Sequence, residues 1–591
     1  MQVEQAHIDV HAYTDPVISC EQCGMCSSAC PLTGEDGFNI RRIERAVQLG
    51  LGEQVAGTRL PWLCAACGRC EAACPNGYRI MTTVRALRTL TPPEVRPEMA
   101  PCREACPAHV DAPLYVRLIA QGRLAEAYSV IRERVPFPGI LGRVCARPCE
   151  TSCKRAEVND AISICALKRY AADRAGEARE AAAGNVKDDT GRKVAVVGAG
   201  PTGLTAAYYL RKQGHAVKVL EVREQPGGMM RYGIPSYRLP EEVLDEEIGQ
   251  VLGIGVELET GKRLGEDFTI EQLQEGEEFD AVFLAMGAQQ SRKVKLEGAD
   301  HEDVLWGVEF LAEAREKDGV DLKDRVVVVG GGNVAVDVAL TAFRSGAGEV
   351  SMVSLEDREE MPAFAWEIEE ALEEGVEVLP TWGPSKIIHQ DGKVSGVELV
   401  HCTSVFDDSG AFCPVFGEEK KVLEADQVIL AIGQQTDLSF LPPEGPIETI
   451  GGLIEVDLQT QKTAAGGVWA GGDAAAKGPG TPGTVIEAIA AGRRAAEAID
   501  RALGGDGDIE ESLSGESLRQ GDGLPEYTGE REEGFADWSR IHVPAVPAEE
   551  RSGSFVEVAQ CYAEDQAVVE AGRCLQCDLE IAMIVNGSES V

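Results

Sequence analysis

From Lys193 the chain runs through apolar positions, breaks on a glycine-rich turn, and continues with apolar residues at helical spacing. It returns to an alternating segment that ends in Glu221 ("KVAVVGAGPTGLTAAYYLRKQGHAVKVLE"). That succession predicts strand, turn, amphipathic helix and strand. The pattern recurs from Arg325 to Glu356 ("RVVVVGGGNVAVDVALTAFRSGAGEVSMVSLE"). Apolar residues at helical spacing also fill Phe38 to Gly52, and Glu557 to Arg573 alternates apolar and acidic positions in a way that suits a short helix. Gly504 to Ala548 is rich in Gly, Glu and Pro and reads as an extended strap. No apolar run reaches the roughly 18 residues a membrane span needs, so no direct membrane insertion is expected. The ends show no signal peptide, and the cytoplasm is the expected compartment.

The two strand–turn–helix–strand units carry a dinucleotide fingerprint. In the first, Gly198 permits the tight turn, Gly200 lets backbone approach a pyrophosphate, Gly203 allows helix against strand, and Glu221 can hold ribose hydroxyls. In the second, Gly330, Gly332 and Ala335 take the three turn positions, with Asn333 inside the turn and Glu356 closing the unit. All nine residues are candidate cofactor contacts.

The chain has 591 residues, enough for several domains, and is 44% hydrophobic. Its 98 acidic against 56 basic residues leave a net charge of −42, which excludes nucleic-acid binding and reads mainly as a solvated acidic surface.

Cysteine changes the picture most. Cys20, Cys23, Cys26 and Cys30 precede Pro31, and Cys64, Cys67, Cys70 and Cys74 precede Pro75. Three thiolates of each tract converge on one 4Fe–4S cubane while the cysteine before proline ligates the neighbouring cluster. Cys20, Cys23, Cys26 and Cys74 are therefore paired on one cluster, and Cys64, Cys67, Cys70 and Cys30 on the other. A second set comprises Cys102, Cys106, Cys145, Cys149, Cys153 and Cys165, too few for two cubanes. Cys574 and Cys577, more than four hundred residues later, bring the total to eight. Cys402, Cys413 and Cys561 fall outside every ligand pattern.

Through "GRLAEAYSVIRERVPFP…GRVCARPCETSC" and "ISICALKRYAAD" the chain resembles, from about Cys102 to Asp500, the glutamate synthase small subunit and the N-terminal part of dihydropyrimidine dehydrogenase. In that family the R-C-x-x-C pair directly precedes the C-x-x-x-C-P pair, whereas here it stands at the C-terminus. Carried over by position, the resemblance implies one cluster on Cys574, Cys577, Cys102 and Cys153. The other takes Cys106, Cys145, Cys149 and a fourth ligand at the position of Lys168, where relatives use Gln or Glu. An ammonium has no lone pair to give. Cys165, one helical turn earlier, is the expected replacement.

The same resemblance extends to "PGGMMRYGIP" (Pro226 to Pro235), "AVFLAMGA" (Ala281 to Ala288) and "VWAGGDAAAKG" (Val468 to Gly478), which are similar to flavin-binding loops. It implies FAD on the first fold, with Gly227, Gly228 and Met229 beside the isoalloxazine and Gly472 and Asp473 at the ribityl and pyrophosphate. A helix from Thr484 to Ala502 would aim its N-terminus at the flavin. The inserted second fold would hold the pyridine nucleotide. Where NADPH-using members carry Arg-Arg, this chain has Leu355 and Glu356, so NAD(H) is expected ahead of NADP(H), with Arg358 nearby. The first hundred residues resemble the heterodisulfide reductase C subunit and other helical ferredoxin domains.

The expected fold is thus α/β, with two nested Rossmann-like domains preceded by two mainly α-helical 4Fe–4S domains. The division is 1–100 and 101–188 for the cluster domains, 189–305 and 425–503 for FAD, 306–424 for NAD(P)H, and 504–591 for the strap and cluster-ligating tail. The expected function is an NAD(P)H-dependent FAD and iron–sulfur oxidoreductase, an electron-transfer subunit carrying four 4Fe–4S clusters, with NADH and other redox subunits as partners. A heterodisulfide reductase-like or electron-bifurcating assembly is one setting for such a fusion, although one FAD motif does not demonstrate bifurcation. The alternatives are a glutamate synthase small subunit and a wiring module whose nucleotide site is idle. No nucleophile–base constellation is visible, and isolated histidines such as His215 read as loop residues.

Overall fold

A computed structural model of the chain describes residues 19–589 apart from 182–185, 277, 318–319, 443–444, 479–482, 515–517 and 519–522. Residues 1–18 of the expected first domain and parts of the strap therefore lie outside the described residues. Strand Lys193–Val197 pairs in parallel with Ala216–Leu220 on one side and Ala281–Leu284 on the other. Glu257–Glu259 and Val468–Ala470 complete a five-stranded parallel sheet. Four of the five residues of the central strand are buried, as a sheet covered on both faces requires.

The chain leaves this sheet after Ala281–Leu284 and returns to it only at Val468–Ala470. In between it builds a second parallel sheet in the order Val304–Trp306, Gln427–Leu430, Arg325–Val329, Glu349–Val353 and Glu377–Leu379. The nesting read from the sequence is the observed topology. The second unit also carries a three-stranded antiparallel sheet, Trp382–Gln390, Lys393–Phe406 and Phe412–Glu424. The glycine fingerprints gave no sign of this addition.

Ahead of the sheets the chain is helical. Ile40–Gln48 and Ile80–Thr89 enclose an apolar core of Phe38, Ile43, Val47, Met81, Val84 and Leu87. Helices Ala112–Ala120, Leu124–Arg132, Pro138–Val144 and Ile164–Asp173 follow and share one core with the first parallel sheet. No described helix is long and apolar enough to cross a membrane.

The segment after helix Val485–Ala502 is stitched along the molecule by side chains of earlier elements. Tyr208 donates to Glu511, Arg123 to the Gly523 carbonyl, Arg85 to that of Gly529, and Arg155 to those of Phe535 and Trp538. The chain then enters helix Glu564–Gly572, which packs on Ala112–Ala120, and ends in helix Cys577–Glu589 against Ile80–Thr89.

The acidic surplus is not wholly a solvated surface. Glu247, Glu374, Glu570 and Glu580 are buried, each against arginines or backbone N–H groups. His215 does lie in a loop, yet it is buried between Thr190 (2.8 Å from Nδ1) and Asp500 (2.9 Å from Nε2). Both are structural ties that composition could not reveal.

Candidate cluster and nucleotide sites

The cysteine turns share a local geometry. Gln22, Ala66 and Gln576, each just before the second cysteine of a C-x-x-C turn, all take a left-handed backbone with φ of 60°, 51° and 54°. That curl aims backbone N–H groups inward: Ala66 donates to Cys64 Sγ and Gln576 to Cys574 Sγ, each at 3.4 Å. The distant tail thus builds the same thiolate-stabilising turn as the N-terminal tracts.

The sixteen candidate ligands gather into four groups. Cys20, Cys23, Cys26 and Cys74 line one small cavity, and Cys30, Cys64, Cys67 and Cys70 line another. Cys102, Cys153, Cys574 and Cys577 line a third, at the junction of tail and helical domain. Cys106, Cys145, Cys149 and Cys165 lie together in the core beside Lys168. Among the described residues no three such side chains converge closely enough for a single metal ion. Four cysteines around one cavity are the donor set that a 4Fe–4S cubane takes.

Burial pushes the Cys30 and Cys574 thiols up to about 11, so thiolates there require a bound cation, and cluster insertion releases protons. Cys145 behaves oppositely: the Cys165 thiol hydrogen-bonds it and holds it below the usual thiol range. Cys165 Sγ also lies 3.2 Å from the Leu141 carbonyl, to which Lys168 Nζ donates at 3.3 Å. Burial works against the Lys168 ammonium, but the surrounding cysteines outweigh it and keep it charged. Of the remaining cysteines, Cys402 is buried in its sheet, Cys413 is exposed, and Cys561 accepts from Arg174.

Adjacent groups are joined through few bonds. Cys149 and Cys153 lie four residues apart yet in different groups. Lys154, next to Cys153, donates to the carbonyls of Trp62 (2.6 Å) and Leu63 (3.0 Å), next to Cys64. Arg531 spans the same gap, from the Ala66 carbonyl to that of Leu575.

A cavity of about 540 Å³ runs along the first parallel sheet, lined by Gly198, Gly200, Glu221, Gly228, Met229 and Asp473 among others. Three glycines at or beside it are sterically required: a Cβ on Gly198 would meet the Ala285 carbonyl at 2.5 Å, one on Gly203 the Gly198 carbonyl at 2.0 Å, and one on Gly472 Thr202 at 2.3 Å, while one on Gly200 would meet only the Gly228 Cα at 3.8 Å. Gly227 donates to the Ala199 carbonyl and brings the Gly227–Met229 loop over the turn. Helix Pro201–Lys212 has no side-chain cap, which leaves N–H groups for a pyrophosphate. Glu221 accepts from Ala199 and Arg223 N–H groups. These features fit a dinucleotide such as FAD. Lys262, Arg263 and Arg223 also line the cavity; sequence reading missed them because nothing in their spacing distinguishes them.

In the second fold a Cβ on Gly330 would strike the Ala431 carbonyl at 2.3 Å, whereas Gly332 faces open space. Ala335 is buried beneath the turn. Asn333 accepts from the Phe364 N–H at 2.9 Å and so ties down the start of helix Ala365–Glu373, where the Phe364 and Trp366 rings stack at 4.5 Å. The Glu356 carboxylate accepts from the Ser354 hydroxyl and lies against Gly331. Arg358 makes no ion pair among the described residues.

A second cavity, about 550 Å³, brings these parts together. Met229, Asp473 and Thr484 line it from the first fold, Asn333 and Trp366 from the second, and Cys145 and Cys165 from the helical domain. Helix Val485–Ala502 begins at its wall, with Thr484 capping Glu487 N–H. Arg147, left-handed between Cys145 and Cys149, lays its guanidinium over Trp366 at 4.8 Å.

Comparison with known proteins agrees with this geometry. Residues 192–492 match the family model for pyridine nucleotide-disulphide oxidoreductases, residues 95–180 that for dihydropyrimidine dehydrogenase domain II with its 4Fe–4S cluster, and residues 16–78 a 4Fe–4S dicluster domain. The chain is 37% identical over 516 residues to the NADPH-Fe(3+) oxidoreductase subunit beta of Geobacter sulfurreducens, covering 81% of this chain and 75% of that one. It is 38% identical over 520 residues to the NADP(+)-dependent formate dehydrogenase subunit beta of Moorella thermoacetica, covering 83% and 72%. To the glutamate synthase [NADPH] small chain of Escherichia coli it is 32% identical over 418 residues, covering 67% and 87%.

Proposed function

Since this chain belongs to the pyridine nucleotide-disulphide oxidoreductase family and carries 4Fe–4S modules on the same polypeptide, we propose that it is the NAD(H)-linked electron-transfer subunit of a larger redox complex. FAD held along the first sheet by Gly198, Gly200, Gly228, Met229 and Asp473 would supply the exchange between a hydride's two electrons and single electrons. The route runs from the cavity shared by both nucleotide folds to Cys106, Cys145, Cys149 and Cys165. It continues through Cys102, Cys153, Cys574 and Cys577, then Cys30, Cys64, Cys67 and Cys70, to Cys20, Cys23, Cys26 and Cys74. The observation that carries this reading is the opening of Cys145 and Cys165 onto the cavity that also holds Met229 and Asp473.

The protein's own residues prepare each end. Gly198, Gly200 and Gly472 let backbone approach the dinucleotide, and the N-terminus of helix Val485–Ala502 favours negative charge at the cavity wall. Lys168 sets a fixed cation beside the first thiol group. In stopped-flow mixing without oxygen, NADH bleaches flavin and then cluster absorbance; a chain that stays oxidised overturns the proposal.

The carboxylate of Glu356 beside Gly331 supports NAD(H), since it accepts from ribose hydroxyls and repels a 2′-phosphate. A second reading, NADP(H), is favoured by the unpaired Arg358 and by the relatives named for that nucleotide. Flavin reduction by the two nucleotides at equal concentration separates them, and faster reduction by NADPH assigns Arg358 to the phosphate.

A further inference from the structure

Of the sixteen candidate ligands, all described, Cys23 alone is exposed. A cluster on Cys20, Cys23, Cys26 and Cys74 therefore stands nearest to solvent, where electron exchange with another protein needs close approach. The surface around it is unlike the rest of the chain. Arg41 lines the same cavity as Cys23 and Met25, together with the exposed Glu21 and the buried Glu44. Gln48 donates to the Cys20 carbonyl at 2.8 Å and accepts from Arg45 at 3.1 Å and Gln22 at 3.2 Å, which fastens helix Ile40–Gln48 to the cysteine turn. Arg41, Arg45 and Gln48 share one helix face by their spacing, with Arg42 beside them.

Arg41, Arg42 and Arg45 are exposed and make no ion pair among the described residues. Met25, Leu49 and Leu51, exposed by 51%, 58% and 39%, add an apolar component. From Ser19 to Leu90 eight arginines face six carboxylates, whereas the whole chain carries −42. An apolar patch flanked by guanidinium groups that make no ion pair, beside the exposed Cys23, complements an acidic face on a partner.

We propose that this surface docks an acidic one-electron carrier protein and is the exit of the electron route. The inference rests on the electron-transfer reading above and names the partner's chemistry. One electron leaves the reduced cluster at Cys20, Cys23, Cys26 and Cys74 and reduces the oxidised centre of the carrier. No bond forms or breaks, and the two electrons of one NADH serve two encounters.

The test uses the full holoprotein, a purified acidic 2Fe–2S ferredoxin as probe carrier, and the charge-reversal variant R41E/R42E/R45E. A control, K293E/K295E/K393E, makes the same change of net charge at exposed positions far from the cysteine turns. The wild type and control reduce the ferredoxin at a rate that falls with added salt. The triple arginine variant is slower by about tenfold at low salt and loses the salt dependence. Flavin bleaching by NADH, read at the other end of the proposed route from the substituted arginines, stays unchanged in all three, which separates this proposal from the functional reading. An equal loss in control and variant, or an unchanged rate in the variant, overturns the docking site. So does sedimentation showing that reversal only converts a dimer of this chain to monomers while ferredoxin reduction persists.

Discussion

At the scale of single residues, Cys165 and Lys168 decide what the flavin-side cluster is. Cys165 touches Cys145 and shares the Leu141 carbonyl with Lys168, so the thiol can complete the ligand set while the ammonium balances its charge. Cys165→Ala is expected to remove about four irons per chain, one cubane's worth, whereas Cys561→Ala removes none. Iron assay on anaerobic protein checks both, and equal iron in wild type and C165A rules out the ligand. Glu247 makes a different kind of prediction. It accepts from Gly139 N–H at 2.6 Å and Ile140 N–H at 2.9 Å, and burial pushes its carboxyl up from 4.5 to about 7. Between those values the folded state holds a proton that the unfolded state has lost, so stability falls as pH rises through this window and levels off above it. The melting temperature of wild type should drop from about pH 5 to pH 7 more than that of Glu247→Gln. Cys165 was already the expected fourth ligand in the sequence, one helical turn before Lys168, whereas the role of Glu247 was not visible there: it sits in a run of acids that looks solvated, and its partners come from a helix more than a hundred residues away.

At the scale of elements, the tail is the informative piece. The sequence showed a short helix ahead of Cys574, and the structure places Glu564–Gly572 there, anchored by Arg573. That guanidinium is fully buried and donates to Glu570, Trp538, Asp160 and Asn159. Arg573→Ala should cost roughly 3–5 kcal/mol, because it leaves Glu570 buried without its cation. Ending the chain after Asp537 should lower the iron count by about four, since Cys574 and Cys577 are then missing. An unchanged count would show that the tail holds no cluster. The helix at Ile40–Gln48 was also legible, because an apolar stripe at period 3.6 is written locally, and that at Val485–Ala502 was implied by the family resemblance. The antiparallel sheet from Trp382 to Glu424 was not, because its strands alternate too weakly to stand out beside the fingerprints.

At the scale of the whole molecule, the proposed route strings the four cysteine groups behind the two nucleotide folds. Denatured protein should release about sixteen irons for each FAD, by four per cubane; far fewer irons would break the route. The sequence by itself determined the cysteine turns, the glycine fingerprints and the nesting of one fold in the other, because each is a matter of local spacing and chain order. Only the tertiary structure decided that Arg147 reaches Trp366, that Lys154 reaches the Trp62 and Leu63 carbonyls, and that Cys23, alone among the sixteen candidate ligands, is exposed. Those are contacts between segments far apart along the chain, and they depend on how helices and sheets pack, which no local pattern encodes.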